Sequence, residues 1–400
     1  MQQAWRGIRG RGLANACCVE DLRALAKARV PKPFWEYVES GSWTQSTLER
    51  NTSDFADILF RQKILKDIGE RDVSSELAGQ HCSMPVALSP CGFGGMMFAN
   101  GEVEAALAAE KFGVPFALST MSIGSIEDVA AATSKPFWFQ LYVMRDRGFV
   151  SDLILRAKAA KCSALILTVD LQVLGKRHAD VKNGLAVPPK PTLQSAINIL
   201  SRPAWCVDML RSRRWSFGNI VGHAKRVSNM ASLSSWTAEQ FDPTLSWKDV
   251  EWVKKQWGGT LIIKGVMDPE DAVLAALSGA DAVVVSNHGG RQLDGAPSSL
   301  SALPPILEAL EAANLSSMEV WLDGGVRSGQ DVLRAVALGA SGVMVGRPWL
   351  YGLGAAGGDG VTRCLEIIKE ELELSMAFCG HRSIKDVSRD ILLPPRKPFY

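Results

Sequence analysis

Eight short apolar runs, most of them rich in β-branched residues, recur between helix-like stretches from about residue 84 to the C-terminal region. They lie at 85–88, 115–118, 137–141, 164–168, 260–264, 282–285, 320–322 and 342–345. Each has the length and composition of a strand buried on both faces. Between them, stretches such as 101–111, 149–160, 269–278 and 329–338 place apolar residues three and four apart, the spacing of an amphipathic helix. Eight buried strands alternating with helices constrain the chain to an α/β fold, a (β/α)8 TIM barrel. Its 400 residues, 47% of them hydrophobic, are enough to fill such a barrel.

Two regions lie outside the repeat. Residues 19–29 are helical by pattern and 33–39 are apolar and aromatic, so an N-terminal helical segment is expected to close one end of the barrel. After the fourth strand, 175–248 shows no strand pattern and is interrupted by Pro188, Pro189, Pro191 and Pro203. This is read as a long inserted loop, and loops of that length are usually functional or disordered. Arg211, Arg213, Arg214, Lys225 and Arg226 are interleaved there with Trp205, Leu210, Trp215 and Phe217. That mixture suits peripheral membrane contact through the 200–230 loop; the competing reading is a solvated loop whose tryptophans pack on the barrel. Residues 1–18, with Arg6, Arg9 and Arg11 and no acid before Glu20, are read as a disordered tail rather than a targeting segment. The remainder, 19–400, is read as one domain.

The bulk numbers exclude some classes. A net charge of +2 gives no general attraction to nucleic acid. The eight cysteines are scattered with no C-x-x-C pair, so neither zinc nor a disulfide framework is expected. No apolar run reaches the length of a membrane-spanning helix. The absence of G-x-G-x-x-G argues against a nicotinamide dinucleotide site.

Function is legible at the strand ends, because barrel enzymes carry their chemistry at the C-terminal mouth. The first run ends at Ser89-Pro90-Cys91-Gly92, the second at Ser119-Thr120. The third carries Gln140 and Tyr142, and the fourth carries Thr168 and Asp170, with Arg177 beyond. The fifth ends at Lys264. The sixth runs into Ser286-Asn287-His288-Gly289-Gly290-Arg291. The seventh ends at Asp323-Gly324-Gly325-Val326-Arg327, the eighth at Gly346-Arg347. A histidine beside an arginine pairs a general base with a carboxylate clamp. Glycine followed by arginine after strands seven and eight is where barrels seat a phosphate. A lysine buried at a strand end calls for an anion. Ser119, Gln140 and Thr168 offer hydrogen bonds to a flat heterocycle. Together these favour flavin mononucleotide (FMN) over a bare sugar phosphate.

These segments resemble the FMN-dependent 2-hydroxy-acid oxidase/dehydrogenase family. The resemblance rests on S-N-H-G-G-R-Q-L-D at 286–294, F-Q-L-Y-V at 139–143, L-T-V-D at 167–170, L-D-G-G-V-R at 322–327 and G-R-P at 346–348. R-Q-K-I-L-K at 61–66 and S-W-K-D-V-E-W at 246–252 extend it toward the bacterial quinone-linked L-lactate dehydrogenases. The resemblance implies that His288 is the active-site base, with Asp170 holding its charged form. It implies that Arg177 and Arg291 clamp the substrate carboxylate beside Tyr37, and that Tyr142 bonds the hydroxyl side. Lys264 would sit at the N1–O2 edge of the flavin, and the backbone at Cys91-Gly92 would face N5. Ser119, Gln140, Thr168 and Ser286 would bind the ring; Asp323, Gly324, Gly325, Arg327, Gly346 and Arg347 would hold ribityl and phosphate. No metal is implied.

The reaction implied is oxidation of an L-2-hydroxy acid, L-lactate first, to the 2-oxo acid, with electrons passing to a quinone. The alternative is an oxidase that makes hydrogen peroxide from oxygen, and a catalytically silent flavin-binding scaffold is the third reading. Gly92 stands where the family's oxidases usually carry alanine, and Met121 where glycolate oxidase carries tryptophan. The resemblance further implies a homotetramer, cytoplasmic or peripheral on the cytoplasmic face of the inner membrane.

Overall fold

The computed structural model describes residues 12–184, 193–224, 227 and 240–394. The readings made for residues 1–11, for Pro188, Pro189 and Pro191, and for Lys225 and Arg226 fall outside these. Ten strands are present among the described residues. A short antiparallel hairpin, β1 (Ser75–Leu77) and β2 (Gln80–Cys82), precedes the eight strands expected from the sequence. Those are β3 (Val86–Leu88), β4 (Ala117–Ser119), β5 (Trp138–Leu141), β6 (Ala164–Thr168), β7 (Thr260–Val266), β8 (Ala282–Ser286), β9 (Glu319–Asp323) and β10 (Gly342–Val345). All neighbours pair in parallel, in the order β3-β10-β9-β8-β7-β6-β5-β4, and a bridge between Leu88 and Phe116 closes the cylinder. The barrel reading is borne out.

The two-residue period of a strand sorts the side chains. Leu118, Phe139, Leu165, Ile263, Val283 and Leu322 point outward and pack under the helices. Ala87, Ala117, Trp138, Ala164, Ile166, Ile262, Val284, Trp321 and Met344 point inward and fill the cylinder. The Trp138 and Trp321 rings stack there with centroids 5.2 Å apart. The hairpin seals this N-terminal end. Leu77 and Cys82 join the inner cluster, and Gln80 Oε1 accepts from Trp138 Nε1 at 2.9 Å. Glu319 accepts from Trp321 Nε1 at 2.9 Å and from the Ala78 amide at 3.1 Å. A buried indole N–H needs such a partner.

The N-terminal helices Val19–Arg29 and Lys32–Glu39 form where the sequence placed them. The second lies across the C-terminal mouth, since the backbone oxygens of Tyr37, Val38 and Ser40 accept from Arg291 and Arg347. Within the insertion three helices are described, His178–Lys182, Leu193–Leu200 and Pro203–Met209. Pro203–Met209 is anchored by an Arg29–Asp208 ion pair that is almost fully buried.

Candidate active site

Moving two residues past the last apolar inward position of each strand changes the chemistry. After Ala87 comes Ser89, after Ala117 Ser119, after Trp138 Gln140 and after Ile166 Thr168. After Ile262 comes Lys264, after Val284 Ser286, and after Trp321 Asp323. All seven are buried. The inward period therefore gathers polar groups from seven strands at one rim. They underlie a cavity of about 260 Å³.

The base stands on a strained turn. His288 has φ 59°, a left-handed conformation that non-glycine residues rarely adopt, followed by Gly289 and Gly290 at φ 66° and 72°. Its Nδ1 lies 2.9 Å from Asp170 Oδ1, and its amide donates to Ser286 Oγ at 3.1 Å. Burial lowers the imidazole pKa and Asp170 opposes that, the net being below the ordinary histidine value. Asp170 reaches this place because β7 bulges between Lys264 and Val266. Gly265, at φ 109°, leaves the room: a Cβ there would meet Asp170 Cβ at 2.8 Å.

Lys264 donates to Ser286 Oγ at 2.9 Å and pairs with Asp323 at 2.8 Å; Ser286 in turn donates to Asp323 Oδ2 at 2.8 Å. Burial works against the ammonium, but Asp323 and Asp170 overcome it and the pKa rises, so the lysine stays charged. The anion that the buried lysine called for is thus supplied by the chain itself.

Two guanidinium groups face the same space. Arg291 lies over the Tyr37 ring at 4.7 Å and Arg177 at 5.6 Å. Arg291 Nη1 donates to the carbonyls of Tyr37 and Ser40, and Arg177 Nε to Asp180 at 2.6 Å. The remaining nitrogens of both forks are available to an anion. Burial, and then Arg177, lowers the Arg291 pKa. Tyr142 lines the same cavity, with burial and then Asp170 pushing its phenol up, so it stays protonated.

In the same cavity Gly324 and Gly325 adopt φ 115° and 88°. Arg347 donates to the carbonyls of Val38 at 2.8 Å, Gly289 at 2.9 Å and Ser40 at 3.1 Å. Burial, with repulsion from Arg327 and Arg291, pushes its pKa down to about 10. A half-buried cation among other cations, facing a cavity, is an anion site waiting for its charge. Cys91 also lines the cavity as a neutral thiol, its pKa pushed up to about 12 by burial. A Cβ at Gly92 would lie 2.9 Å from Met121 O, so alanine fits there only if that backbone shifts.

Four of the sequence-expected residues, Asp170, Gln140, Thr168 and Ser286, stand behind the cavity wall. The Ser286 hydroxyl is engaged within the lysine–aspartate network. Gln140 Oε1 accepts from Ser119 Oγ at 3.1 Å and from the Thr120 amide at 3.3 Å. Its Nε2, Thr168 Oγ1 and Asp170 Oδ2 are buried with no partner. Buried orphans of this kind mark where a ligand completes the hydrogen bonding. Orphaned amide and hydroxyl groups at the strand ends, with a glycine and arginine cradle lining the cavity, fit a flat heterocycle joined to a phosphate, as FMN is. Among the described residues no group of three candidate ligands could hold a metal ion.

The structure adds Phe93 and Phe241, which carry no sequence signal, and Phe217, which the sequence reading places in the membrane-contacting loop. Phe93, Phe217 and Phe241 give the cavity an aromatic wall, Phe93 meeting both Tyr37 and Phe217 with centroids 4.8 Å apart. The insertion reading divides. Trp205 is 5% exposed, stacked on Phe34 and bonded to Met96 O, and Phe217 is also buried. Both pack on the barrel rather than facing outward, because each finds an aromatic partner there. Arg214 pairs with Asp128. Leu210 and Trp215 do face solvent, at 81% and 51% exposed.

Comparison with known proteins agrees with this geometry. The model of the family "FMN-dependent dehydrogenase" matches residues 26–394. An L-lactate dehydrogenase of Actinobacillus pleuropneumoniae serotype 5b (strain L20) is 44% identical over 374 residues, covering 93% of this chain and 97% of the relative. One from Ectopseudomonas mendocina (strain ymp) is 42% identical over 377 residues, covering 94% and 98%. Among solved structures, the monotopic membrane protein (S)-mandelate dehydrogenase superimposes with a TM-score of 0.89 at 33% identity, over 95% of this chain and 99% of that one. The flavin-binding domain of baker's yeast flavocytochrome b2 gives 0.80 at 32%, over 95% and 87%. On the family match across the barrel, and on two relatives above 40% identity, the chain belongs to the FMN-dependent dehydrogenases.

Proposed function

We propose that this protein oxidises L-lactate or a close L-2-hydroxy acid to the 2-oxo acid, using FMN, and passes the electrons to a membrane quinone. The observation that carries the reading is His288, backed by Asp170 behind the wall, lining one cavity with the Arg177 and Arg291 forks. A base without a carboxylate clamp would fit many reactions; the two together select a substrate with an ionisable acid beside the reacting carbon.

In this reading Arg177 and Arg291 hold the substrate carboxylate on either side of Tyr37, and the Tyr142 hydroxyl steadies the substrate oxygen. With Nδ1 directed to Asp170, His288 Nε2 takes up the proton, and Asp170 stabilises the imidazolium that forms. Gln140, Ser119 and Thr168 would hold the flavin ring with the backbone at Cys91 and Gly92, and the charged Lys264 would stabilise negative charge on it. Gly324, Gly325, Arg327, Gly346 and Arg347 would hold the phosphate end, with Asp323 and Ser286 fixing the lysine. FMN supplies the two-electron acceptor.

The quinone reading draws on the resemblance carried by residues 61–66 and 246–252 and on the exposed apolar side chains Leu193, Ile197, Leu200, Val207, Leu210 and Trp215 beside Arg211 and Arg213. This face would rest on an anionic membrane surface. No helix among the described residues is long and apolar enough to cross a membrane. A homotetramer is part of the same reading.

The test is turnover of L-lactate, D-lactate, glycolate and L-mandelate by the flavin-loaded protein, with oxygen and a soluble quinone analogue compared. The reading expects pyruvate from L-lactate, no turnover of D-lactate, and a rate that depends on the quinone. Peroxide formed in step with pyruvate would replace the dehydrogenase by the oxidase.

A further inference from the structure

Asn51 lies in the helix Ser46–Ala56, ahead of the barrel, yet it is buried between the two halves of the site. Its Nδ2 donates to Asn287 Oδ1 at 2.8 Å, and its Oδ1 accepts from Asn287 Nδ2, also at 2.8 Å. This reciprocal amide pair spans 236 residues of sequence. Asn51 Oδ1 also accepts from the Ser299 amide at 3.2 Å, and Ser299 Oγ accepts from the Asn287 amide at 3.2 Å. Asn287 Oδ1 accepts from the Gly290 amide at 3.0 Å, closing the turn that carries His288 at its strained φ. The same asparagine supports the glycine cradle. A Cβ on Gly325 would fall 1.7 Å from Asn51 O, and one on Gly324 3.5 Å from Asn51 Nδ2. The Asn51 side-chain amide therefore bonds the histidine turn through Asn287, while its backbone carbonyl closes directly on Gly325 of the cradle.

We infer that Asn51 is a positioning residue that couples the two: the amide pair fixes where residue 51 sits, and with it the backbone carbonyl packed on the cradle, so that holding the flavin phosphate and setting the His288 ring depend on one residue. The inference rests on the proposed roles of His288 and of Gly324–Gly325. Asn51 touches neither substrate nor flavin and acts through Asn287 and the cradle backbone. A left-handed histidine persists only if its surroundings over-determine it. A fully satisfied buried amide network is what does so here, and it fails when one donor becomes an acceptor.

Asn51→Asp makes that change at constant shape. It keeps the two bonds that Oδ1 accepts and turns the Nδ2 donation into an oxygen–oxygen contact. Two quantities are read on the full-length protein. The first is the ratio of FMN to riboflavin affinity, from flavin fluorescence; it isolates the phosphate cradle. The second is kcat per bound flavin at saturating FMN, with KM for L-lactate measured alongside.

In the native protein a strong preference for FMN, together with turnover of L-lactate, tests the underlying reading. Its failure there is separate from any failure of the coupling. For Asn51→Asp the coupling predicts that the affinity ratio and kcat each fall by about tenfold or more, with KM changed less than kcat. Arg291 is held by Tyr37 and Ser40 independently of this pair. Trp321→Ala, at the opposite end of the barrel, is expected to lower thermal stability and leave both quantities unmoved. If Asn51→Asp does not fold, Ser299→Ala, which removes one bond of the same network, is expected to lower both quantities by a smaller factor. If either the ratio or kcat holds at its native value while the other falls, or if neither falls, the coupling is overturned.

Discussion

The two ends of one barrel are built from the same strands with the same inward period, and they solve opposite problems. At the closed end the inward residues are Trp138, Trp321, Ile166 and Ile262, and a hairpin caps them. The two indole N–H groups there have partners: Trp138 Nε1 has Gln80 and Trp321 Nε1 has Glu319. At the open end, one inward step along each strand, the residues are Lys264, Ser286, Asp323, Gln140 and Thr168. There Gln140 Nε2, Thr168 Oγ1 and Asp170 Oδ2 are left without partners. An unmet hydrogen bond and a crowd of half-buried arginines cost stability. The closed end supplies the packing that lets the open end tolerate this.

That contrast breaks most visibly at the base. His288→Ala is expected to lower kcat by on the order of 10³-fold or more while the protein stays folded and yellow; stopped-flow reduction by L-lactate checks it. Loss of the flavin instead would place the residue on the wrong side of the comparison. At the closed end, Trp321→Ala opens a cavity inside the cylinder and should cost roughly 3–5 kcal/mol in urea unfolding, with kcat per bound flavin preserved. A matching loss of kcat would show that the two ends are not separable.

Arg347→Met at the open end sharpens the contrast in the other direction. It removes a half-buried cation but also three bonds to the carbonyls of Val38, Gly289 and Ser40, so thermal stability of the flavin-free protein should fall only modestly, while FMN affinity falls by about ten- to a hundredfold. Equilibrium dialysis and a melting curve together decide this. The smallest effect is on pH. Because His288 is held below its ordinary 6.5, the unprotonated base persists into mild acid, and kcat/KM should decline with acidification only below that value. Asp170→Asn removes the influence that raises the imidazole pKa, so its acid limb should move to still lower pH. A limb moving toward alkaline pH would show that Asp170 does not stabilise the charged ring.

The legibility of the chain follows the same division. Strand runs were readable because a strand buried on both faces is apolar throughout, and the rim was readable because Lys264, Asp323 and His288 interrupt that apolarity at a fixed place. The hairpin β1–β2 left no trace, its strands being three residues each, too short for any period to register. Asn51 was equally silent. It sits in the polar stretch STLERNTSDFA, and its partner Asn287 is brought to it only by closure of the barrel. Phe217 and Phe241 reach the cavity from an insertion without periodicity, so their role emerges only in three dimensions. Trp205 and Trp215 stand ten residues apart in one segment, and burial alone separates the packing residue from the exposed one.

The most direct test of the account is anaerobic mixing of the flavin-loaded protein with L-lactate, followed by absorbance of the bound flavin. The account predicts that the yellow colour bleaches with one pyruvate formed per flavin, and that His288→Ala abolishes the bleaching with the flavin still bound. A flavin that stays oxidised with every L-2-hydroxy acid offered, in protein carrying a full complement of FMN, would contradict it.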